Sequence, residues 1–243
     1  MFIKNGLGLT EGTETMLAQE QRLNQIANNL ANVNTTGYKK DNLSFGEMMF
    51  KAADNRMRVG KAINVTTDQT QGPTIQTGNP LDFAINGRGF FKIQTQAGIR
   101  YTRNGNFTLN SAGQLSTADG NLVIGDGGPI ILNNDQISVA QDGQISAGGQ
   151  IINKLSLVNF TNVNSLEKEG NSLFKLKPGG NKEQAVVNPN VQQGALEGSN
   201  VNIIKGMTEM IDLQRSYQAQ QKAIQTLDDL DHQSISRVGN LTG

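Results

Sequence analysis

The chain holds a single histidine, His232, near the end of a helical C-terminal segment. Catalysis by histidine needs an orienting partner and a cleft. A lone histidine late in a helix favours the helix dipole or faces solvent. With no second histidine and no cysteine, neither a multi-histidine nor a thiolate metal site can form. No Gly-x-Ser-x-Gly elbow is present to activate a serine. Asp126, Asp135 and Asp142 are scattered and miss the spacing of a calcium loop, so they read as turn residues. Gly87-Arg88-Gly89 lacks the third glycine and the following helix of a dinucleotide site. No phosphate-binding Gly-x-x-x-x-Gly-Lys-Ser/Thr loop occurs. Tyr38, Lys39 and Lys40 form a small basic–aromatic cluster, and Lys92, Arg100 and Arg103 lie on expected strands. The chain as a whole is neutral and has no dense basic face, which argues against nucleic acid. The expectation is a protein that is not an enzyme, with no cofactor, no metal and no nucleic-acid partner.

Composition points toward association. Of 243 residues, 17% are charged and 36% hydrophobic, with zero formal net charge. Charge is scarcer than the roughly 25% of a typical globular chain, and Asn, Gln, Thr, Ser and Gly fill the difference. A neutral, polar surface favours packing against copies of itself. No apolar run approaches a membrane span, so no membrane insertion is expected. Met1 to Thr10 lacks the pattern of a cleaved signal. The protein is therefore expected to stay in the cytoplasm or leave uncleaved.

The elements that would position any site fall into three parts. From about Leu9 to Val33 no proline occurs, and Leu9, Met16, Leu23 and Leu30 recur every seven residues. Ile26, Ala27 and Ala31 widen that face, giving a helix with a narrow seam. Asn32, Asn34 and Gly37 signal its stop. Near the other end, Ser199 and Asn200 are N-cap candidates. Ile203, Met210, Tyr217 and Ile224 then recur every seven residues, flanked by Met207, Leu213 and Leu227. This helix is expected from Val201 to about His232. Neither seam suffices alone, because helix stability comes mainly from tertiary packing. Pairing the two helices is the obvious solution, with packing on the middle domain the plainer alternative.

The middle alternates as strands do, in Leu81, Phe83 and Ile85 and again in Phe91 and Ile93. Turn signals follow at short intervals: Asn104-Gly105, a strong hairpin dipeptide, then Ser111-Ala112-Gly113, Asp119-Gly120, Asp126-Gly127-Gly128, Asp142-Gly143 and Gly148-Gly149. Such spacing predicts an antiparallel sandwich or barrel. The expected class is α+β: paired terminal helices, a central antiparallel all-β domain and extended connectors. The boundaries are 1–40 with 199–243 for the helical assembly domain, 41–80 with 161–198 for the connectors, and 81–160 for the β domain.

The string Ile26-Ala27-Asn28-Asn29-Leu30-Ala31-Asn32-Val33-Asn34-Thr35-Thr36-Gly37-Tyr38-Lys39-Lys40 closely resembles the N-terminal signature of flagellar rod and hook proteins. Leu81 to Phe91, continuing through Tyr101 to Phe107, looks like the start of that family's β domain. Glu197-Gly198-Ser199-Asn200-Val201-Asn202, with Met210-Ile211, Gln214 to Tyr217 and Ala223 to Thr226, looks like its C-terminal helix. The resemblance implies a FlgF/FlgG-type axial protein, exported uncleaved through the flagellar type III apparatus. It implies assembly with other rod subunits into a hollow tube, with the terminal helices as an inner coiled-coil layer. Only about forty residues separate Lys40 from Leu81, which leans toward the proximal FlgF type. A distal rod or hook protein is the alternative, and a secreted β-domain adhesin a more distant one. Gly6, Gly8 and Gly12 crowd the first turns, so the first residues are expected to be extended.

Overall fold

The structure is a computed structural model. It describes residues 2–51, 57–132 and 137–239, with side chains described for 12–46, 62–132 and 137–230. The chain divides into two compact units. One joins Met1–Ala31 with Asn202–Gly243, and the other is Asn32–Val201.

The first unit is a pair of helices. Helix α1 spans Phe2–Ala31, so the first residues are helical and not extended. Glycine weakens a helix by about 1 kcal/mol without blocking it, and no proline occurs there to break it. Helix α2 spans Ile203–Gly239. Its N-cap is Asn202, not Ser199 or Asn200: Asn202 Oδ1 accepts the Lys205 N–H at 2.9 Å. A cap oxygen reaching the third helical N–H is the usual solution for a helix start. Ser199 Oγ instead accepts the Val201 N–H at 3.3 Å.

The helices touch in antiparallel order. Gln19 Nε2 donates to Ser216 Oγ at 3.0 Å, and a β-carbon on Gly12 would lie 3.2 Å from Ile224 Cδ1. Gly12, Met16, Gln19, Leu23, Ile26 and Leu30 of α1 are all buried or half-buried. On α2, Met210, Leu213, Tyr217, Gln220 and Ile224 are half-buried. Every other residue from 211 to 230 is exposed.

The second unit is β-rich. It opens with the hairpin β1 (Asp41–Lys51) and β2 (Met57–Thr67), in register from Asp41 opposite Thr67 to Lys51 opposite Met57. The chain continues through β3 (Thr74–Gln76), β4 (Phe83–Ile85), β5 (Phe90–Thr95), β6 (Gly98–Thr102), β7 (Phe107–Leu109), β8 (Leu115–Thr117), β9 (Leu122–Gly125) and β10 (Gly128–Pro129). Then come β11 (Ile137–Val139), β12 (Gln144–Ala147), β13 (Gln150–Lys154), β14 (Leu157–Asn159), β15 (Leu166–Gly170), β16 (Leu173–Leu176), β17 (Gln184–Ala185), β18 (Val191–Gln193) and β19 (Ala195–Glu197). The largest sheet has the order β15-β16-β6-β5-β9-β8-β7, with β14 and β10 pairing beside it. A second sheet is β11-β12-β13. Two short ladders, β4 with β18 and β3 with β19, bring the returning chain back against the entering one.

Glycine placement explains three of the hairpins. In the turns at Asn110–Gly113, Thr117–Gly120 and Ala140–Gly143, the glycine N–H donates to the carbonyl three residues back. Each of these glycines has positive φ, the left-handed residue that closes a type I turn into a hairpin. Asn104-Gly105 behaves differently from the hairpin expected of it. β6 and β7 do not pair with each other, and Gly105 is absent from the positive-φ glycines. A type I′ turn requires φ above zero at both central residues. Gly105 O instead accepts the Phe83 N–H at 3.0 Å. A β-carbon there would come 1.7 Å from Phe83 O, so glycine serves close backbone packing.

Strand β5 is buried on both faces. Phe91 and Ile93 enter one apolar cluster with Phe83, Phe107 and Leu115. Phe90 points to a second, with Tyr101, Phe160 and Phe174. The rings meet edge-on, Phe91 to Phe107 at 5.2 Å and Phe90 to Phe174 at 5.6 Å, the geometry favoured by ring quadrupoles.

Polar groups close the border of the second cluster. Glu183 accepts from Lys92 Nζ at 2.5 Å and from Tyr101 Oη at 2.8 Å. Burial raises the Glu183 pKa, but the hydrogen bonds from Lys92 and Tyr101 outweigh it, and the net value lies below the ordinary one. A lowered carboxylate stabilises the fold above its unfolded pKa, and that contribution is lost as pH falls through the folded value. The melting temperature should therefore fall as pH drops below about 4. Glu183→Gln should reduce that slope in a thermal melt series, and an unchanged slope would refute the assignment.

Candidate functional site

The expected chemical residues occupy structural places. Gly87, with φ of 104°, turns the chain between β4 and β5. Asp142 Oδ1 accepts the Gln144 N–H at 3.1 Å, as a turn residue does. Asp126 sits in the turn between β9 and β10. Asp135 lies outside the described residues, as do the side chains of Leu9 and His232. The basic strand residues are paired: Lys92 with Glu183, and Arg100 with Glu169 through two hydrogen bonds. Arg103 belongs to the most buried ionic cluster described.

That cluster is built where three distant segments meet. Beyond Ala31 the chain makes a turn: Thr35 N–H donates to Asn32 O at 3.1 Å, and Tyr38 N–H to Thr35 O at 3.2 Å. Gly37 follows with φ of 67°, and a β-carbon there would lie 2.3 Å from Asn104 N. Its N–H donates to Glu197 O at 2.8 Å. This close approach admits only glycine. Lys39 is then turned inward, its side chain wholly buried.

Lys39 Nζ donates to Glu197 Oε1 at 2.5 Å and to Thr70 O at 2.7 Å. Gly72 N–H donates to the same carboxylate oxygen at 3.0 Å. Arg103 Nη1 donates to Glu197 Oε2 at 3.0 Å, and Nη2 to Gly87 O at 2.7 Å. The Arg103 guanidinium also lies 5.3 Å from the Phe90 ring centre, within cation–π range. Burial lowers the pKa values of both Lys39 and Arg103, and the charge of Glu197 opposes it. Two cations and one carboxylate thus share a site that excludes water.

Neighbouring contacts extend this clamp. Asn200 Oδ1 accepts the Lys40 N–H at 2.7 Å, and Asn200 Nδ2 donates to Asp68 O at 2.9 Å. Lys168 Nζ donates to Asp41 Oδ2 at 2.8 Å and to Lys39 O, and lies 4.2 Å from the Tyr38 ring centre. Burial, with the nearby charge of Asp41, pushes the Tyr38 phenol up to about 12. The segment leaving α1 and the segment entering α2 are tied to each other and to the β unit. The chemistry available is electrostatic fixation of backbone.

The remaining expected residues divide by exposure. Met16, Leu23 and Leu30 on α1 and Met210, Leu213, Tyr217 and Ile224 on α2 are half-buried, and Ile26 is buried. Ile203 and Leu227 are exposed. Of the signature residues, Asn29 is buried, Ala27, Asn28 and Ala31 are exposed, Asn32 starts the turn, and Gly37 and Tyr38 join the clamp. The seam also includes Gly12, Gln19 and Gln220, which the apolar repeat passes over. The triad itself escaped the sequence, although its members lie in strings that did stand out. A lysine, an arginine and a glutamate look like surface residues until the topology brings them together.

Three family models match in chain order. They are "Flagella basal body rod protein" over residues 10–39, "Flagellar hook protein FlgE/F/G D1 domain" over 84–147, and "Flagellar basal body rod FlgEFG protein C-terminal" over 192–237. Lys39, Arg103 and Glu197 fall one in each, so the triad joins all three segments. The class is that of structural flagellar axial proteins, which is not an enzyme family. The chain is 33% identical over 238 residues to flagellar basal-body rod protein FlgF of Caulobacter vibrioides, covering 95% of this chain and 97% of that protein. It is 33% identical over 255 residues to FlgG of Bacillus subtilis, covering 91% and 95%. It is 30% identical over 267 residues to the hook-basal body complex protein FlhO of Bacillus subtilis, covering 96% and 99%. The chain belongs to the FlgF/FlgG-type family of flagellar basal-body rod proteins. It is a structural subunit of the flagellar basal body, and membership implies assembly with other rod components.

Removing Glu197 tests the clamp. Glu197→Ala leaves two buried cations without a counter-charge and should cost about 3–5 kcal/mol in urea unfolding. Glu197→Gln keeps the volume and should cost less. Equal, small losses for both would show that the charge is unimportant. Separately, Gly37→Ala should destabilise by more than about 2 kcal/mol, because neither contacting backbone can yield cheaply. A loss under about 0.5 kcal/mol would remove the close approach as a constraint.

Proposed function

We propose that this subunit polymerises through its terminal helices, which pair as a coiled-coil-like inner layer of a hollow axial tube, while the β unit forms the outside. The segments would be 1–40 with 199–243 for assembly, 41–80 with 161–198 for connection and 81–160 for the central β domain. The carrying observation is that the buried and half-buried positions of both helices include a series in alternating four- and three-residue steps, 12-16-19-23-26-30 on α1 and 210-213-217-220-224 on α2. That is the spacing of a coiled-coil seam. Outside it, α2 shows Ile204 at 79% exposure, Met207 at 50% and Ile211 at 50%. Contiguous exposed apolar side chains of this kind mark interaction surfaces. Leu9, Met16, Leu23, Ile26, Leu30, Ile203, Met210, Leu213, Tyr217, Ile224 and Leu227 are the proposed assembly residues. The subunit would work without catalysis, torque passing along the tube it helps to build.

The proximal, FlgF-like position is the favoured tier. The alignment to the FlgG relative runs over 255 positions, longer than the 243 residues of this chain, so that relative carries inserted residues. The alignment to the FlgF relative runs over 238. The proposed route out of the cell is the flagellar type III export apparatus, with the thin-seamed ends folding fully on incorporation. A seam this narrow leaves most of each helix dependent on neighbours.

Leu23→Asp or Ile224→Asp should abolish rod assembly, and hence motility, while the β unit keeps its melting transition. Either variant building normal rods would refute the seam. Hydrogen exchange on the purified monomer addresses folding on assembly. Labile ends around a protected centre from about Leu81 to Phe160 are expected, and fully protected helices in the monomer would overturn that part.

A further inference from the structure

Two polar residues stand where the helix pair would be expected to be apolar. Gln19 and Gln220 occupy seam positions, Gln19 three residues after Met16 and four before Leu23, and Gln220 three after Tyr217 and four before Ile224. Gln19 Nε2 donates across to Ser216 Oγ at 3.0 Å. Its Oε1 is shielded from solvent and accepts no hydrogen bond among the described residues. Gly12 leaves room for the Ile224 side chain, whose Cδ1 would lie 3.2 Å from a β-carbon at that position. A leucine at position 19 would remove the buried unpaired carbonyl, so the amide points to a role other than stability.

We propose that Gln19 and Ser216, with Gly12 against Ile224, set the register of α1 on α2. The inference rests on the helix-pair reading above. Both contacts define one antiparallel alignment, since residue numbers across the seam sum to nearly the same value. Carried along the helices, it sets Leu23 opposite Leu213, Ile26 opposite Met210 and Leu30 opposite Gly206. Small faces large at both ends of the seam; in the middle Gln19 meets Ser216 beside Tyr217, and Gln220 falls opposite Met16. A seven-residue repeat is tolerant of slipping by seven, because apolar residues again meet apolar ones. Here a slip of one heptad toward the C-terminus of α2 would set Gln19 opposite Ile224, with Ala223 in place of Ser216, and Leu23 opposite Gln220, so that the half-buried amide faces groups that cannot accept its protons. A slip the other way sets Glu209 in place of Ser216 but puts Tyr217 against the space Gly12 leaves for Ile224. An amide donor buried without an acceptor is penalised, and single polar seam residues fix register in this way at a cost in stability. The partner selected is the chain's own second helix. In an assembly of related subunits, each bringing helices of similar repeat, such a lock keeps the pair from exchanging with a neighbour's.

Spin labels on the full chain test this in assembled rods, with labelled subunits diluted by the cysteine-free chain, where the ends are proposed to be fully folded. The chain has no cysteine, so Arg22→Cys and Gln214→Cys, both at exposed positions, accept labels uniquely. The parent should give one short inter-label distance. Gln19→Leu with Ser216→Leu should add a second population, displaced by one heptad, or about 10 Å along the axis. Gln19→Ser with Ser216→Gln restores the polar pair in reverse and should return a single population. One unchanged distance in the doubly apolar variant would overturn the register proposal. So would a reversed pair that is as heterogeneous as the apolar one. Absence of any defined distance in the parent would instead overturn the helix-pair reading.

Discussion

Everything around the clamp follows from the carboxylate of Glu197 holding two cations out of water. Lys39 and Arg103 cannot be buried without it, and it cannot be buried without them. Dehydrating charge is costly enough that an interior ionic cluster adds little net stability over a well-packed apolar one. Its effect is on geometry. Apolar side chains tolerate small displacements, whereas a carboxylate accepting from Lys39, Arg103 and the Gly72 N–H has one good arrangement. The backbone complies at two glycines. A β-carbon on Gly72 would sit 2.1 Å from Gly198 O, and one on Gly37 would strike Asn104.

The two units of the chain are stabilised by different means. The β unit has two apolar clusters built around a strand buried on both faces, with aromatic rings meeting edge-on. The helix pair has a narrow seam, interrupted by glycine and glutamine, and long exposed flanks. Local stability follows the density of buried apolar contact, so the helices should open before the sheets do. Under the proposed assembly, in which neighbours complete the ends, that order is useful. A monomer with self-sufficient helices would have less free energy to gain from joining a polymer.

The sequence displayed the periodic features well. The heptad spacing of Met16, Leu23 and Leu30 and of Met210, Tyr217 and Ile224 located both helices, because side-chain period maps directly onto a helix face. Gly113, Gly120 and Gly143 marked hairpins, because positive φ selects glycine. Ends were less legible. The glycines of α1 suggested an extended start, yet a propensity cost of about 1 kcal/mol each is readily overridden. Asn200 looked like a cap and is instead a bridge to Lys40 and Asp68. Asn104-Gly105 looked like a hairpin and is a packing surface, since a dipeptide preference says nothing about which strands its flanks will join. The triad was invisible for a stronger reason. Its members lie 64 and 94 residues apart in the chain, and no local pattern encodes that a charged side chain will be fully buried. What the sequence did contain was the strings around Lys39, Arg103 and Glu197, whose resemblance to the family was visible before their contacts were.

The position of the clamp has a mechanical consequence. The helix unit and the β unit are joined covalently at only two places, between residues 31 and 32 and between 201 and 202. Whatever load a rod subunit carries along the backbone from one unit to the other must cross those two peptide segments. Single extended segments would stretch and twist independently. Here the residues just beyond each crossing are bonded to one another: Gly37 to Glu197, Lys40 to Asn200 and Lys39 to Glu197. Arg103 then ties the same carboxylate to the carbonyls of Ile85 and Gly87, beside the central strand β5. A force entering by either crossing is thereby shared with the other and with the sheet. An apolar contact at this point would resist separation but slide under shear, whereas a charge-assisted hydrogen bond loses strength steeply when its angle changes. For a subunit that passes torque as proposed, that stiffness against twist would be reason to retain a buried ionic cluster where a greasy one would be easier to fold.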